Sequence, residues 1–320
     1  MVEEVRVTSP SRLHFGMIDL RGDLGRLYCS VGVAIQRPRI MLIGKKSKDL
    51  IVKGPISERA KSFADKMLKD HGIGTGIELA ITEDIPEHVG LGSGTQLALS
   101  VGTAVSHLYG LSVGTEEIAQ DLYRGGRSAV GTYAFKLGGF IVDGGHDVRN
   151  KEKIPPLVFR CDVPEDWLFV VGLPSIPQRI SGPNETAAFS HLQPPSSEIV
   201  GEISRIVLIQ MMPSLLEADI ESFGSAASAL DSRFGDMWTK IQGGRYSHPL
   251  IEAGTRFLSE NGAYCIGQSS WGPAFYGLAK GASQGDSLRT KLQSFLQENG
   301  GGNAFIASPS NTGASVKLDG

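Results

Sequence analysis

The stretch Pro86-Glu87-His88-Val89-Gly90-Leu91-Gly92-Ser93-Gly94-Thr95-Gln96 separates two segments of different character. Before it, Ile77-Glu78-Leu79-Ala80-Ile81 places Ile77, Leu79 and Ile81 at the period of two that turns one strand face to a core. After it, Thr95 to Leu108 is almost uncharged and rich in small residues, the pattern of a helix buried on most sides. A glycine-rich turn between a strand and a helix start is an anion receptor. The first N–H groups of the helix lack intrahelical partners, and its dipole adds partial positive charge. Gly90, Gly92 and Gly94 allow close backbone approach, while Ser93 and Thr95 offer hydroxyls to a phosphate or its metal. No Lys follows Gly94, so this is not a Walker A loop, and G-x-G-x-G lacks the last spacing of a dinucleotide fingerprint.

Upstream of that strand, Ser57 precedes a segment with Ala60, Phe63, Ala64, Met67 and Leu68 at helical spacing, which Gly72 stops. Val5-Arg6-Val7 reads as a strand, and Thr115 reads as the cap of a short helix carrying Ile118, Ala119 and Leu122. The charged, proline-bearing run Lys151 to Pro156 reads as a connector, dividing the chain into parts 1–158 and 159–320. Beyond it, helical patterns cover 197–212, 215–230, 249–260 and 287–298, and strand candidates cover 167–171, 263–266, 274–278, 305–307 and 314–318. This order predicts an α+β sandwich with helices on one sheet face. The stretch 174–195 reads as a long loop of the kind that is often functional.

Composition bounds the function. Of 320 residues, 41% are hydrophobic and 20% charged, so the chain can bury a core. A net charge of −3 lacks the basic surplus of a nucleic-acid binder. Three cysteines without C-x-x-C spacing suit a reducing cytoplasm, and uninterrupted apolar runs of about seven residues, far below the roughly 18 of a spanning helix, predict no membrane partner. The 41 glycines are about 13% of the chain against a typical share of about 7%, and 17 of them fall in the 64 residues of 11–32, 86–95, 125–145 and 267–277. The excess marks a site.

Three further clusters carry chemistry. Ser11-Arg12-Leu13-His14-Phe15-Gly16-Met17-Ile18-Asp19 and Arg26 hold more polar groups than a core segment should, and two arginines suit a phosphorylated ligand. Gly125-Gly126-Arg127-Ser128-Ala129-Val130-Gly131-Thr132, with Gly138 to Gly145 behind it, suits backbone wrapped around a polyanion. Gly267-Gln268-Ser269-Ser270-Trp271-Gly272-Pro273 is a turn with two hydroxyls. No H-E-x-x-H and no zinc spacing occurs among seven histidines.

Pro10 to Gly16, Gly90 to Thr95 and Gly267 to Pro273, in that order, resemble the three signatures of the GHMP kinase superfamily. The resemblance implies an amino-terminal domain like the second domain of ribosomal protein S5, a carboxyl-terminal ferredoxin-like domain, and a site in the cleft between them. Within the superfamily, Ser11 to Leu20, Gly92 to Gln96, and Arg127 to Phe135 running into Gly139 to Gly145 resemble the beta-ribofuranosylaminobenzene 5'-phosphate synthases. Many GHMP kinases place an aspartate base after a Ser-Gly pair here, whereas Ser128 is followed by Ala129, Val130, Gly131 and Thr132. The missing base argues against phosphoryl transfer from ATP.

The resemblance implies joining phosphoribosyl pyrophosphate to 4-hydroxybenzoate or 4-aminobenzoate, with loss of pyrophosphate and carbon dioxide and with Mg²⁺ as cofactor. On this reading Arg12, His14, Asp19, Arg127 and Thr132 are the catalytic candidates, and Thr95 and Asp19 the metal ligands. Ser11, Arg26, Gly90, Gly92, Ser93, Gly94, Thr95, Gln96, Ser128, Gly131, Asp143, Gly267, Ser269 and Ser270 bind substrate. The competing readings are an ATP-dependent small-molecule kinase of the same superfamily, with Asp143 as its base, and a ligand-binding relative without turnover. A homodimer is the default assembly.

Overall fold

The computed structural model describes residues 2–150, 152–177 and 183–319. The first elements are β1 (Glu4–Asp19), β2 (Arg26–Ser47), β3 (Ile51–Lys53), α1 (Ser57–Asp70), β4 (Gly76–Glu83), α2 (Ser93–Tyr109), α3 (Thr115–Asp121), α4 (Val130–Lys136), β5 (Phe140–Asp143), β6 (His146–Asp147) and β7 (Leu157–Cys161). There follow β8 (Trp167–Pro174), α5 (Pro183–His191), α6 (Ser197–Arg205), a π-helical stretch (Ile206–Met211), α7 (Met212–Leu216), α8 (Ile220–Gln242) and α9 (Pro249–Glu260). The chain closes with β9 (Ile266–Gln268), β10 (Phe275–Lys280), α10 (Gly281–Glu298), β11 (Gly302–Ala307) and β12 (Ser315–Asp319).

The class is α+β, as expected. One sheet runs β12-β1-β2-β4-β3, with β5 and β6 also on β2 and β7 on β5; only β3 and β4 pair parallel among them. The second is antiparallel in the order β11-β8-β10-β9. Helices join β8 to β9 and β10 to β11, which is the β-α-β-β-α-β arrangement of a ferredoxin-like unit. The cut at 158/159 does not divide the sheets: β7 crosses it, and β12 returns to pair Val5 with Leu318 and Val7 with Val316. Apolar partners on both sheets account for this. Phe15 of β1 lies 6.3 Å from Phe140 of β5, 6.3 Å from Phe169 of β8 and 5.3 Å from Tyr276 of β10, so the two sheets share one core.

β1 explains how the polar cluster coexists with that core. Val5, Val7, Leu13 and Phe15 alternate inward, while register shifts between Ser9 and Ser11 and between His14 and Gly16 re-aim the strand beside the site. α1 buries the five residues its periodicity marks, and α2 is buried on most sides.

Several local expectations are corrected. Thr115 is the first helical residue rather than the cap, a position Gly114 takes without a side-chain bond. The helix expected from 215 begins at Ile220, because Ala218 takes a φ of 55° and Asp219 caps Ser222 N–H at 3.1 Å. The strand expected at 263–266 lies at Ile266–Gln268, and the helix expected from 287 starts at Gly281. The stretch 174–195 contains α5, with 178–182 outside the described residues. Finally, α6, the π-helical stretch and α7 join into one helical run, Ser197–Leu216, of mean hydropathy 1.5, long and apolar enough by length and composition to cross a membrane. Charged residues interrupt its sequence, so short apolar runs hide its length. Ile203, Val207, Met211 and Leu215, every fourth residue, pack it on the core.

Candidate functional site

The three signature stretches meet at one atom. The Gly90 carbonyl oxygen accepts Arg12 Nη1 at 2.6 Å and Ser269 Oγ at 2.6 Å, and Ser269 Oγ accepts His14 N–H at 3.0 Å. Arg12 N–H donates to Leu91 O at 3.1 Å, Ser270 N–H to His14 O at 3.2 Å, and Ala274 N–H to Val89 O at 3.0 Å. Thus β1, the glycine loop and the turn before β10 are stitched together across 78 and 179 residues of sequence.

The loop conformation requires its glycines. Gly90 has a φ of +87°, and a Cβ there would lie 2.2 Å from Ser269 O; Gly92, at +84°, is the N-cap of α2. A cap without a side chain leaves the first turn of α2 uncapped by any side chain, and that turn carries no acidic residue. Its N–H groups and dipole therefore favour an anion. Arg12 lies along the loop, its Cγ 3.1 Å from where a Gly92 Cβ would be.

His14 is 4% exposed, and neither ring nitrogen finds a hydrogen-bond partner among the described residues. Burial, with the Arg12 charge, lowers its pKa to about 3. The imidazole is therefore neutral at physiological pH. Phe234 stands 6.4 Å from it and leads into an aromatic group of Trp238, Trp271, Phe189 and Tyr28. The Arg127 guanidinium lies 4.6 Å over the Phe189 ring.

Several other candidates make hydrogen bonds or packing contacts within the protein. Gln96 is fully buried and braces the loop, accepting Ser9 Oγ–H at 2.7 Å and donating to Gly131 O at 2.8 Å. Gly131 lets α4 approach the Thr95 side chain, at 3.1 Å from its Cβ position to Cγ2. Asp143 corrects its expected place at the ligand: it is 1% exposed, and Oδ1 accepts Ser30 N–H at 3.0 Å and Gly145 N–H at 2.9 Å, while Oδ2 accepts Ala129 N–H at 2.8 Å. Burial still raises its pKa to about 6 against those three bonds. Asp19 folds onto its own turn, Oδ1 accepting Arg21 N–H at 2.7 Å and Gly22 N–H at 2.9 Å. Arg26 donates to the carbonyls of Gly144 and Gly145. These groups surround Cys29, whose thiol burial, Asp143 and Asp19 push up to about 12. Gly267 is a packing glycine, a Cβ there lying 2.5 Å from Tyr276 Oη. Ser128 Oγ accepts Val130 N–H at 3.3 Å, and the Ser11 and Thr132 hydroxyls are buried without a partner among the described residues.

Two residues beside the loop escape the sequence reading. A Cβ on Gly94 would lie 2.3 Å from Arg59 Nη2 and 3.5 Å from Arg124 Nη1. Arg59 belongs to a helix whose buried face alone is legible, and Arg124 sits one residue before the Gly125-Gly126 pair. Among the described residues no group of three His, Cys, Asp or Glu side chains could hold a metal.

The chain matches the model of the GHMP kinases N terminal domain over 58–139 and that of the GHMP kinases C terminal over 211–298. It is 35% identical over 307 residues to a beta-ribofuranosylphenol 5'-phosphate synthase of Archaeoglobus fulgidus, covering 92% of this chain and 94% of that one. A second protein of that name, from Methanothermobacter thermautotrophicus, is 34% identical over 296 residues, covering 86% and 89%. Among solved structures, a homoserine kinase from Cytophaga hutchinsonii superposes with a TM-score of 0.69 at 15% identity, covering 99% of this chain and 98% of that one. A mevalonate diphosphate decarboxylase from Enterococcus faecalis does so at 0.67 and 12%, with full coverage of both chains, 100% each. These two likenesses concern the fold.

Proposed function

The chain belongs to the beta-ribofuranosylphenol 5'-phosphate synthase family within the GHMP kinase fold, and from that premise we propose that it transfers phosphoribose with decarboxylation. The donor is phosphoribosyl pyrophosphate and the acceptor 4-hydroxybenzoate, which the phenol in the relatives' name favours over 4-aminobenzoate. The ring carbon bearing the carboxylate bonds to the sugar C1, whose bond to pyrophosphate breaks with its electron pair. Carbon dioxide then leaves, and the pair from its bond restores the aromatic ring. The products are a β-ribofuranosylphenol 5'-phosphate, pyrophosphate and CO2.

The observation that carries this reading over a kinase is the state of Asp143. Its oxygens are taken by three backbone N–H groups, so the carboxylate that a kinase would use as base serves the fold instead. In the transfer no proton need be removed from the acceptor carbon, and the protein's work is positioning and charge stabilisation. The Gly90 to Thr95 loop and Arg12 receive the departing pyrophosphate. Arg127, beside the aromatic group, receives a carboxylate or phosphate. His14, neutral and unpartnered among the described residues, takes a ribose or phenol hydroxyl. Mg²⁺, when bound, would offset the leaving-group charge. With no three-ligand cage among the described residues, the Thr95 hydroxyl, the remaining Asp19 oxygen and the diphosphate itself would hold it, as suits magnesium. Three unpaired cysteines accord with a cytoplasmic setting.

The test supplies the protein with phosphoribosyl pyrophosphate and carboxyl-labelled 4-hydroxybenzoate, and with ATP and candidate alcohols in parallel. Release of labelled CO2 without ATP consumption is the expected result. Formation of ADP would overturn it in favour of a kinase, and no turnover in either arm would leave a binding protein.

A further inference from the structure

Gly94 opens a space that two arginines fill. Arg59 enters from α1, with Nη2 2.3 Å from where a Gly94 Cβ would be, and Arg124 Nη1 lies 3.5 Å from the same point. Both guanidiniums lie over Phe63, at 6.0 and 5.0 Å from its ring centroid. Arg124 is set there by a helix end: Tyr123 takes a φ of 54°, Tyr123 N–H donates to Gln120 O at 3.0 Å, and Arg124 N–H donates to Ala119 O at 2.6 Å. That is a Schellman closure of α3 with tyrosine in the left-handed conformation where glycine is usual. Two like charges are thus held together at the uncapped start of α2.

Their compensation is incomplete. Arg59 pairs with Glu87 at 2.6 Å, whereas Arg124 donates its Nε to Leu122 O at 3.1 Å and has no carboxylate partner among the described residues. Burial and the Arg59 charge lower the pKa of Arg124. An anion of more than one charge between them would relieve this repulsion and meet the helix dipole. The loop has direction: Arg12 flanks Gly92, and Arg59 with Arg124 flanks Gly94.

We propose that Arg59 and Arg124 clamp the terminal phosphoryl group of a diphosphate lying along the Gly90–Gly94 loop, whose inner phosphoryl group faces Arg12. This rests on the reading that the loop receives the donor's pyrophosphate. It assigns the diphosphate end of the donor, not its 5'-phosphate, to this pair.

Calorimetric titration of the full chain with inorganic pyrophosphate and, separately, with ribose 5-phosphate tests it, each with and without Mg²⁺. Arg59→Gln and Arg124→Gln should each weaken pyrophosphate binding about tenfold or more and leave ribose 5-phosphate within twofold, while Arg124→Lys recovers part of the loss. Thermal midpoints identify any variant that fails to fold, and the two lysine variants, Arg59→Lys and Arg124→Lys, then carry the comparison. Unchanged pyrophosphate affinity in the neutral variants overturns the proposal, as does a loss confined to ribose 5-phosphate. Absence of CO2 release by the unaltered protein would refute the synthase reading instead, because the titrations judge the clamp without turnover.

Discussion

At Gly90 one carbonyl oxygen binds Arg12 and Ser269, and Ser269 in turn holds the His14 backbone. The hydroxyl is at once donor and acceptor, so Ser269→Ala leaves the buried His14 N–H unsatisfied and the Gly90 carbonyl with Arg12 alone. It should cost about 1–3 kcal/mol, read as a shift of the denaturant midpoint at constant slope. It should also raise the KM for the phosphorylated donor, because the loop then loses one of its tethers. His14 carries a pH signature. Its pKa is lowered to about 3 in the folded chain against about 6.5 unfolded, so its contribution is present above pH 6.5 and is lost as pH falls toward 3. At pH 5 the loss is about 2 kcal/mol. Stability curves of the wild type and His14→Gln should therefore converge between pH 8 and pH 5; parallel curves would show that the imidazole is not buried and neutral.

The loop with α2 shows that neighbouring glycines of one motif answer to different constraints. Gly90 meets backbone, the Ser269 carbonyl at 2.2 Å, with a φ of +87°. Gly94 lies within the helix and meets only the far ends of two arginine side chains, Arg59 and Arg124. Gly90→Ala should consequently destabilise by several kcal/mol, roughly the sum of strain and displaced backbone. Gly94→Ala should fold with a midpoint unchanged or slightly raised, since alanine favours a helix by about 0.5–1 kcal/mol. Yet it should weaken pyrophosphate binding by pushing Arg59 aside. Thermal unfolding and pyrophosphate titration of the two variants separate these effects. Asp143 is the equivalent strut for the Ala129 to Gly145 region. Asp143→Asn turns an acceptor of N–H groups partly into a donor facing them and should cost about 2–4 kcal/mol, measured by the same unfolding.

Across the whole molecule the site exists because two sheets share a core. Phe15, from the polar-looking first cluster, touches aromatic residues of both, so Phe15→Ala should cost about 3–5 kcal/mol and loosen the site with the fold. Much of this was legible by local rules. The glycine loop, its helix, the α1 face and the four glycine-rich segments follow from residue type and period, because backbone conformation and amphipathic burial are written in neighbouring residues. The α+β class follows from the order of those patterns. Other features have no local signal. The return of β12 to β1, the commitment of Asp143 to three N–H groups, and the convergence of Arg59 and Arg124 on Gly94 depend on segments far apart in the chain. A carboxylate in a glycine-rich stretch reads the same whether it faces a ligand or the backbone, and an arginine on the polar face of a helix reads the same whether water or a phosphate loop lies beyond it. Residue types and their spacing suffice to read a glycine-rich loop between a strand and a helix on an α+β frame. Which charges face that loop depends on distant segments coming together, since the direction of a side chain is set by the packing of the elements that bear it.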